Sequence, residues 1–417
     1  MSVATTDGLQ GRTVLCVIVG HFASAPRAQK EARALRVAGA RVYVRGVWSD
    51  STLAREDLGL AQALDVDFAP VVDLRSDGAG SFGDRARQRI AQEAFRRFGI
   101  VSSRVLGPGA PEMLRTARRI DADLTIVHSE PGLWVARALL ARGARVAVDF
   151  EDWFSRDQLP ADRPEPVRAV LRKLERDLLA RAHACTTTTH VMAEALAADA
   201  RTERVPAVVP NCFPAIAQGV ALSGAADRVT PGVVSFYWFS RTIGPGRGLE
   251  SLARALPLLR GEWQLTLRGS LHGHRDWFEA TFPSPMRHRI HCVEPVDNAE
   301  LSARTRSHDV GLALELPYCD NKQLTASNKI HEYLRGGLAV IATRTRGQQE
   351  VMAASPGAGM LVDAEDPVAL AAAMQCMIDE PSSLRICRSS ALHAGTEAWD
   401  WARHELTLVT ALSGALA

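Results

Sequence analysis

With 417 residues the chain is too long for one ordinary hydrophobic core and should fold as two domains of roughly 200 residues each. Its 49 Lys and Arg against 47 Asp and Glu leave a net charge of +2, which excludes the clustered positive excess of a nucleic-acid binder. The seven cysteines are scattered, odd in number and without a CxxC pair, and no apolar run approaches the ~20 residues of a membrane span. A charged-then-apolar leader is also absent, so a cytoplasmic protein is expected.

Apolar, strand-like runs alternate with helical patterns along the chain. Thr13 to Val19 reads as a buried strand, Ala28 to Ala38 as a helix stopped at Gly39, and Arg41 to Val47 as a second strand. Leu124 to Val127, Arg145 to Phe150 and Ala184 to Thr189 continue the series. The second half restarts it with Gly232 to Phe239, a Gly/Pro loop, a helix over Leu249 to Leu259, and strands at Gln264 to Leu267, Val310 to Leu314 and Leu338 to Ala342. This is the pattern of βαβ units on parallel sheets, and it predicts an α/β fold of two Rossmann-like domains facing each other across a cleft. Val205 to Thr230, rich in Pro, Ala and Gly and without either period, reads as the connection. The expected limits are 1–210, a linker at 211–231, 232–390, and a closing helix in 391–417 that packs back on the first domain.

Ligands of open α/β sheets meet the carboxyl ends of the strands, so the polar residues there are the candidates. Gly20 and His21 follow the first strand, His128 follows the Leu124 run, and Glu151 and Asp152 follow the Arg145 run. In the second half, Ser240 and Arg241 lead into Thr242-Ile243-Gly244-Pro245-Gly246-Arg247-Gly248. Three glycines let a backbone approach phosphate, and two arginines can neutralise it. Leu324 to Glu350 holds the densest signal: Ser327 and Asn328 at a helix start, Lys329 and Glu332 within it, Gly336 and Gly337 ending it, then a buried strand. Lysine occurs only at positions 30, 173, 322 and 329, so two of four flank this segment. Free N–H groups at that helix start and Lys329 suit a diphosphate, and Glu332 suits a ribose diol.

Two metal readings are weak. Asp121-x-Asp123 precedes a strand and reads as a cap, and His272, His274, His288 and His291 lack ligand spacing, so no metal is expected. Asp84 to Arg104 sets Ile90, Ala94, Phe95 and Phe98 on one side of a helix amid six arginines. Its two readings are a stripe facing the core, the favoured one, and a peripheral contact with anionic lipid.

Ser327-Asn328-Lys329-Ile330-His331-Glu332-Tyr333, followed by Gly337-Leu338-Ala339-Val340-Ile341-Ala342, resembles the Pro/Ser-Asn-Lys-x-x-Glu-Tyr-x-x-x-Gly-x-Pro-Val-Ile-Ala stretch of GT-B glycosyltransferases of family four. Ser240 to Glu250 resembles that family's diphosphate-binding strand, loop and helix, and Pro26-Arg27 its amino-terminal opening. His128 and Asp149 to Trp153 are similar to its cleft-facing strand ends. The resemblance implies transfer of a hexose-type sugar from a nucleotide-diphosphate donor to a glycan, lipid-linked or small-molecule acceptor, with retention and without a cofactor or metal. It implies donor binding by Gly244, Gly246, Gly248, Asn328, Lys329, Glu332 and Tyr333, and charge neutralisation by Arg241 and Arg247. His128, with Gly20, His21 and Arg27, would touch sugar or acceptor, and Glu151 or Asp152 would orient the acceptor hydroxyl. Polysaccharide synthesis in the cytoplasm, at the inner face of the membrane, is the expected setting.

One departure stands out. Many members carry a glutamate eight residues before the one matching Glu332, and Leu324 occupies that place, leaving Glu315 or Asn321 as substitutes. A nucleotide-sugar epimerase and a silent nucleotide-sugar-binding module remain as alternatives. A pyridoxal-dependent phosphorylase is disfavoured, because none of the four lysines has a suitable strand context. Sugar, base, acceptor and linkage are not legible.

Overall fold

The computed structural model describes residues 8–75, 81–159, 161–216, 227, 230–282 and 284–417. Most of the expected linker, residues 217–226 with 228 and 229, lies outside the described residues. The chain divides into two compact units, Met1–Val209 with Glu405–Ala417, and Pro210–His404. The helix Trp401–Gly414 therefore begins in the second unit and ends in the first.

The first unit is built on a seven-stranded sheet: β1 (Thr13–Val17), β2 (Arg41–Trp48), β3 (Asp67–Asp73), β4 (Leu124–Val127), β5 (Val146–Phe150), β6 (Ala184–Thr187) and β7 (Ala207–Val208). All pairs are parallel, in the order β3-β2-β1-β4-β5-β6-β7. The second unit has six parallel strands: β8 (Val234–Thr242), β9 (Trp263–Ser270), β10 (Ile290–Val293), β11 (Val310–Ala313), β12 (Ala339–Thr343) and β13 (Gly359–Val362), in the order β10-β9-β8-β11-β12-β13. Helices connect successive strands, as parallel pairing requires. The central strands are apolar along their length because helices cover both faces; β4, β5, β11 and β12 are buried throughout.

Strand order reverses direction between β1 and β4 and again between β8 and β11. At such a point neighbouring connections leave in opposite senses and open a crevice at the strands' carboxyl ends. Gly20 and His128 follow β1 and β4; Arg241, near the end of β8, and Glu315 flank the second crevice.

Two expectations are revised here. Ser81–Phe98 is a helix, as the periodicity predicts, but its apolar stripe is not core: Ala94 and Phe95 are half-buried, Phe82, Ile90 and Phe98 are exposed, and none of its described side chains is buried. Gln88 and Arg85 donate to main-chain oxygens. The predicted helix over Leu249 to Leu259 is an α-helix only to Ala255 and tightens into a 3₁₀ turn at Pro257.

Candidate active site

The first crevice is a buried acid–base network. Gly20 leaves β1 with φ +129, a conformation that side chains rarely adopt, and nothing stands within 4 Å of where a Cβ would be. A ligand can approach its backbone there. His21 points elsewhere: its Nε2 accepts N–H groups of Ser49 at 2.9 Å and Asp50 at 3.0 Å, so the proton sits on Nδ1 and is donated to Asp57 at 2.8 Å. Trp48 Nε1 donates to the same carboxylate. With both ring nitrogens occupied, His21 ties the loop after β1 to the turn after β2.

Arg27 is likewise committed. Its guanidinium forms a two-pronged ion pair with buried Asp149, Nη2 at 2.7 Å, and Nη1 donates to the Val209 carbonyl at 2.6 Å. Arg27 thereby clamps the helix Pro26–Val37 to the ends of β5 and β7. One turn further along that helix, Glu31 accepts from His128 Nε2 at 2.7 Å. His128 Nδ1 lies 3.2 Å from Asp149. Burial works against a charged ring, but Glu31 and Asp149 outweigh it and hold the imidazolium well above the ordinary histidine range. Burial also raises the Asp149 carboxyl, and Arg27 with His128 reverses that, holding it far below the usual range.

Glu151, half-buried at the same strand end, lacks such compensation. Burial, with Asp149 and Asp152 nearby, pushes its carboxyl up to about 7 against the opposing pull of His128. His128, Asp149 and Glu151 each bring a ligand-type atom within 4.8 Å of the others, the spacing of a metal trio. Asp149 is bound to Arg27 and both imidazole nitrogens face carboxylates, so the cluster is already charge-balanced by its own cations. Among the described residues no second such group occurs, and the four histidines from 272 to 291 do not assemble. Asp123 caps β1, accepting from Thr13 N–H at 2.8 Å and from Arg12 at 3.1 Å.

The second crevice is basic. The β8–β9 register shifts between Phe239 and Thr242, carrying exposed Arg241 past regular pairing. Arg247 is exposed and donates to Ser240 Oγ at 3.1 Å. Of the loop glycines, Gly246 and Gly248 have φ near +75, and a Cβ on Gly248 would stand 2.4 Å from the Leu314 carbonyl oxygen. Gly244 lies under the His274 ring, whose nearest atom would stand 3.0 Å from a Cβ at that position. The loop thus rests on the end of β11, and the next residue along, Glu315, accepts from Lys329 Nζ at 2.7 Å. Burial raises Glu315, but Lys329 outweighs it and keeps the carboxyl below its ordinary range. Lys329 lies in the first turn of the helix Asn328–Gly336, whose N-cap Ser327 makes no side-chain cap bond, so Ser327 does not occupy its leading N–H groups.

Two further expected donor contacts, Glu332 and Tyr333, follow Lys329 in the same helix. Glu332 is buried against the helix Asn298–Arg306, where it accepts from Ser302 Oγ at 3.0 Å and pairs with Arg335 at 2.8 Å. The i,i+3 spacing puts Arg335 beside it on one helix face. Tyr333 is a core residue: its ring fills the space above Gly311, where a Cβ would be 2.2 Å away, and its hydroxyl donates to the Leu312 carbonyl. Leu324 is buried, so the place of the customary carboxylate is part of the packing, and Glu315 is the acid beside Lys329.

In the second unit the glycine loop thus packs on Leu314, next to the Glu315–Lys329 pair, and in the first His128, Asp149 and Glu151 lie together. Sequence reasoning missed Glu31 and the pairing roles of Asp149 and Arg27. The available signal was Arg27 and Glu31 at i and i+4, one helical face directed at a strand end.

Two Rossmann-like α/β units in one chain, each with its crevice at a reversal of strand order, define the GT-B architecture. Solved structures agree. HepE from Anabaena in complex with UDP covers 96% of this chain and 99% of its own at 14% identity, with a TM-score of 0.67. Sucrose-phosphate synthase from Thermosynechococcus elongatus covers 95% and 96% at 15% identity, TM-score 0.66. A protein from Listeria monocytogenes assigned as a UDP-N-acetylglucosamine 2-epimerase covers 94% and 94% at 13% identity, TM-score 0.59. At these identities the likeness is one of fold. No curated protein matches the chain. Residues 235–380, all within the second unit, match the family described as glycosyl transferases group 1.

Proposed function

We propose that this protein transfers a hexose-type sugar from a nucleoside-diphosphate donor to a hydroxyl of a glycan, lipid-linked or small-molecule acceptor, with retention and without a metal. The observation that carries the reading is the Lys329–Glu315 pair beside a glycine loop bearing two exposed arginines, at the reversal point of the second sheet. HepE, similar in fold, is known in complex with UDP and with UDP-glucose. In the proposed donor complex the diphosphate takes Lys329 from Glu315 and meets Arg241, Arg247 and the Asn328 helix start.

Breaking a glycosyl–phosphate bond builds negative charge on the leaving diphosphate and oxocarbenium character on the sugar. Fixed cations at the diphosphate stabilise that charge as it forms, a contribution of ~10²-fold per preorganised group. Glu315, freed from Lys329, is placed to meet sugar hydroxyls. In the first unit the His128 imidazolium, fixed by Glu31 and Asp149, presents a positive edge, and Glu151 accepts a hydrogen bond from the acceptor hydroxyl. The leaving phosphate, on the same face, takes the acceptor proton, so retention needs no side-chain nucleophile.

Thermal shift with UDP-, GDP- and ADP-sugars, followed by nucleoside diphosphate release with and without acceptor, tests the reading. Acceptor-dependent release supports transfer. Interconversion of the donor sugar supports an epimerase, and binding without turnover supports a silent module. Absence of any shift removes the nucleotide-sugar reading altogether.

A further inference from the structure

We propose that the helix Ser81–Phe98 and the turn that follows it dock on an anionic lipid bilayer. The inference stands apart from the transferase reading, since it uses none of the crevice residues. Phe82, Ile90, Phe98 and Ile100 are 81%, 68%, 74% and 56% exposed. These four fall within nineteen residues and account for a cluster that no other segment of the described chain matches. An ordinary surface helix buries its apolar stripe and turns its polar face to water. Here Gln88 donates to the Arg104 carbonyl at 2.9 Å and Arg85 to the Arg75 carbonyl at 2.6 Å, and Phe95 is half-buried, while Phe82, Ile90 and Phe98 point out.

Charge selects the occupant. The helix carries five arginines against Asp84 and Glu93, a larger positive excess than the +2 of the whole chain. Arg87, Arg89, Arg96 and Arg97 lie on the exposed half among the apolar residues. Asp84 answers Arg87 at 2.9 Å, and the one carboxylate of Glu93 serves both Arg96 and Arg97. Guanidinium groups interleaved with Phe and Ile match a headgroup layer over acyl chains, where aromatic and aliphatic side chains insert and cations meet lipid phosphates. A purely aqueous polyanion would leave those apolar side chains in water.

Flotation of the intact protein with phosphatidylcholine vesicles, with and without phosphatidylglycerol, tests this. The expected result is co-flotation with the anionic vesicles at low salt, weakened at high salt by screening. Combined F82S, I90S and F98S should lower the lipid-bound fraction ~10-fold or more, because exposed side chains contribute mainly through insertion. The same variant should keep the wild-type melting temperature, which separates lost docking from lost folding. The proposal is overturned if wild type stays with neither vesicle, if the triple variant floats as wild type does, or if wild type sediments as a dimer that the triple variant abolishes.

Discussion

His128 Nε2 donates to Glu31 across 2.7 Å, joining the end of β4 to a helix ninety-seven residues earlier in the chain. With Asp149 at the other ring nitrogen, the imidazolium is held at both ends. Because the folded pKa lies above the unfolded one, this contribution to stability is complete below about pH 6.5 and is lost as pH rises through the folded value. E31Q should therefore destabilise the protein by about 3 kcal/mol near pH 6, with a smaller deficit at alkaline pH. Urea denaturation of both proteins across this range checks the sign. A deficit that grows with pH would contradict the pairing.

Glu151 runs the other way. With a folded pKa of about 7 it keeps its proton where the unfolded chain, at the ordinary glutamate value, has lost it. Wild-type stability should fall relative to E151Q as pH rises from about 4.5 to 7 and then level off. If Glu151 contacts the acceptor hydroxyl, kcat/KM of the wild type should rise through the same window and that of E151Q should be flat.

On the proposed function, Lys329 and Arg247 bind the donor diphosphate. K329A and R247A should each weaken turnover ~10²-fold and reduce the thermal shift given by UDP, with the folded state retained because both groups are at least partly exposed. E315Q should act differently, releasing Lys329 and leaving UDP affinity equal or higher while lowering kcat. A parallel loss of UDP affinity in E315Q would show that Glu315 only positions Lys329.

Glu332 and Tyr333 each carry contacts that stabilise the fold. E332A leaves Arg335 and Ser302 without their carboxylate and should cost about 3 kcal/mol, and Y333F, losing a single bond to Leu312, about 1 kcal/mol. Calorimetric melting together with UDP titration separates the effects: Y333F should bind UDP as wild type does.

The parts of the fold legible in the sequence are the interior ones. Most central strands are visible as apolar runs, β6 and β9 carrying polar residues among them, whereas β3, β7, β10 and β13, the four sheet edges, do not stand out. An edge strand is covered on fewer sides, so His291 and Cys292 can stand exposed in β10 and Pro70 can interrupt β3. In the site, the glycine loop and Lys329 are legible because their composition is local. The internal contacts of His21, Arg27, Glu332 and Tyr333 are not legible because their partners Asp57, Asp149, Ser302 and Leu312 lie far off in sequence or on another element. A motif shows which residue types are present and not which way each one faces.

Each crevice is assembled wholly from its own half of the chain: Gly20, Glu31, His128, Asp149 and Glu151 belong to the first unit, Arg241 to Gly248, Glu315 and Lys329 to the second. On the proposed function, recognition of the two substrates is inherited through separate stretches of gene. Exchanging the coding segment for one unit with that of a relative can alter one preference while leaving the other intact, so new pairings of sugar and acceptor are open to recombination without redesign of either crevice.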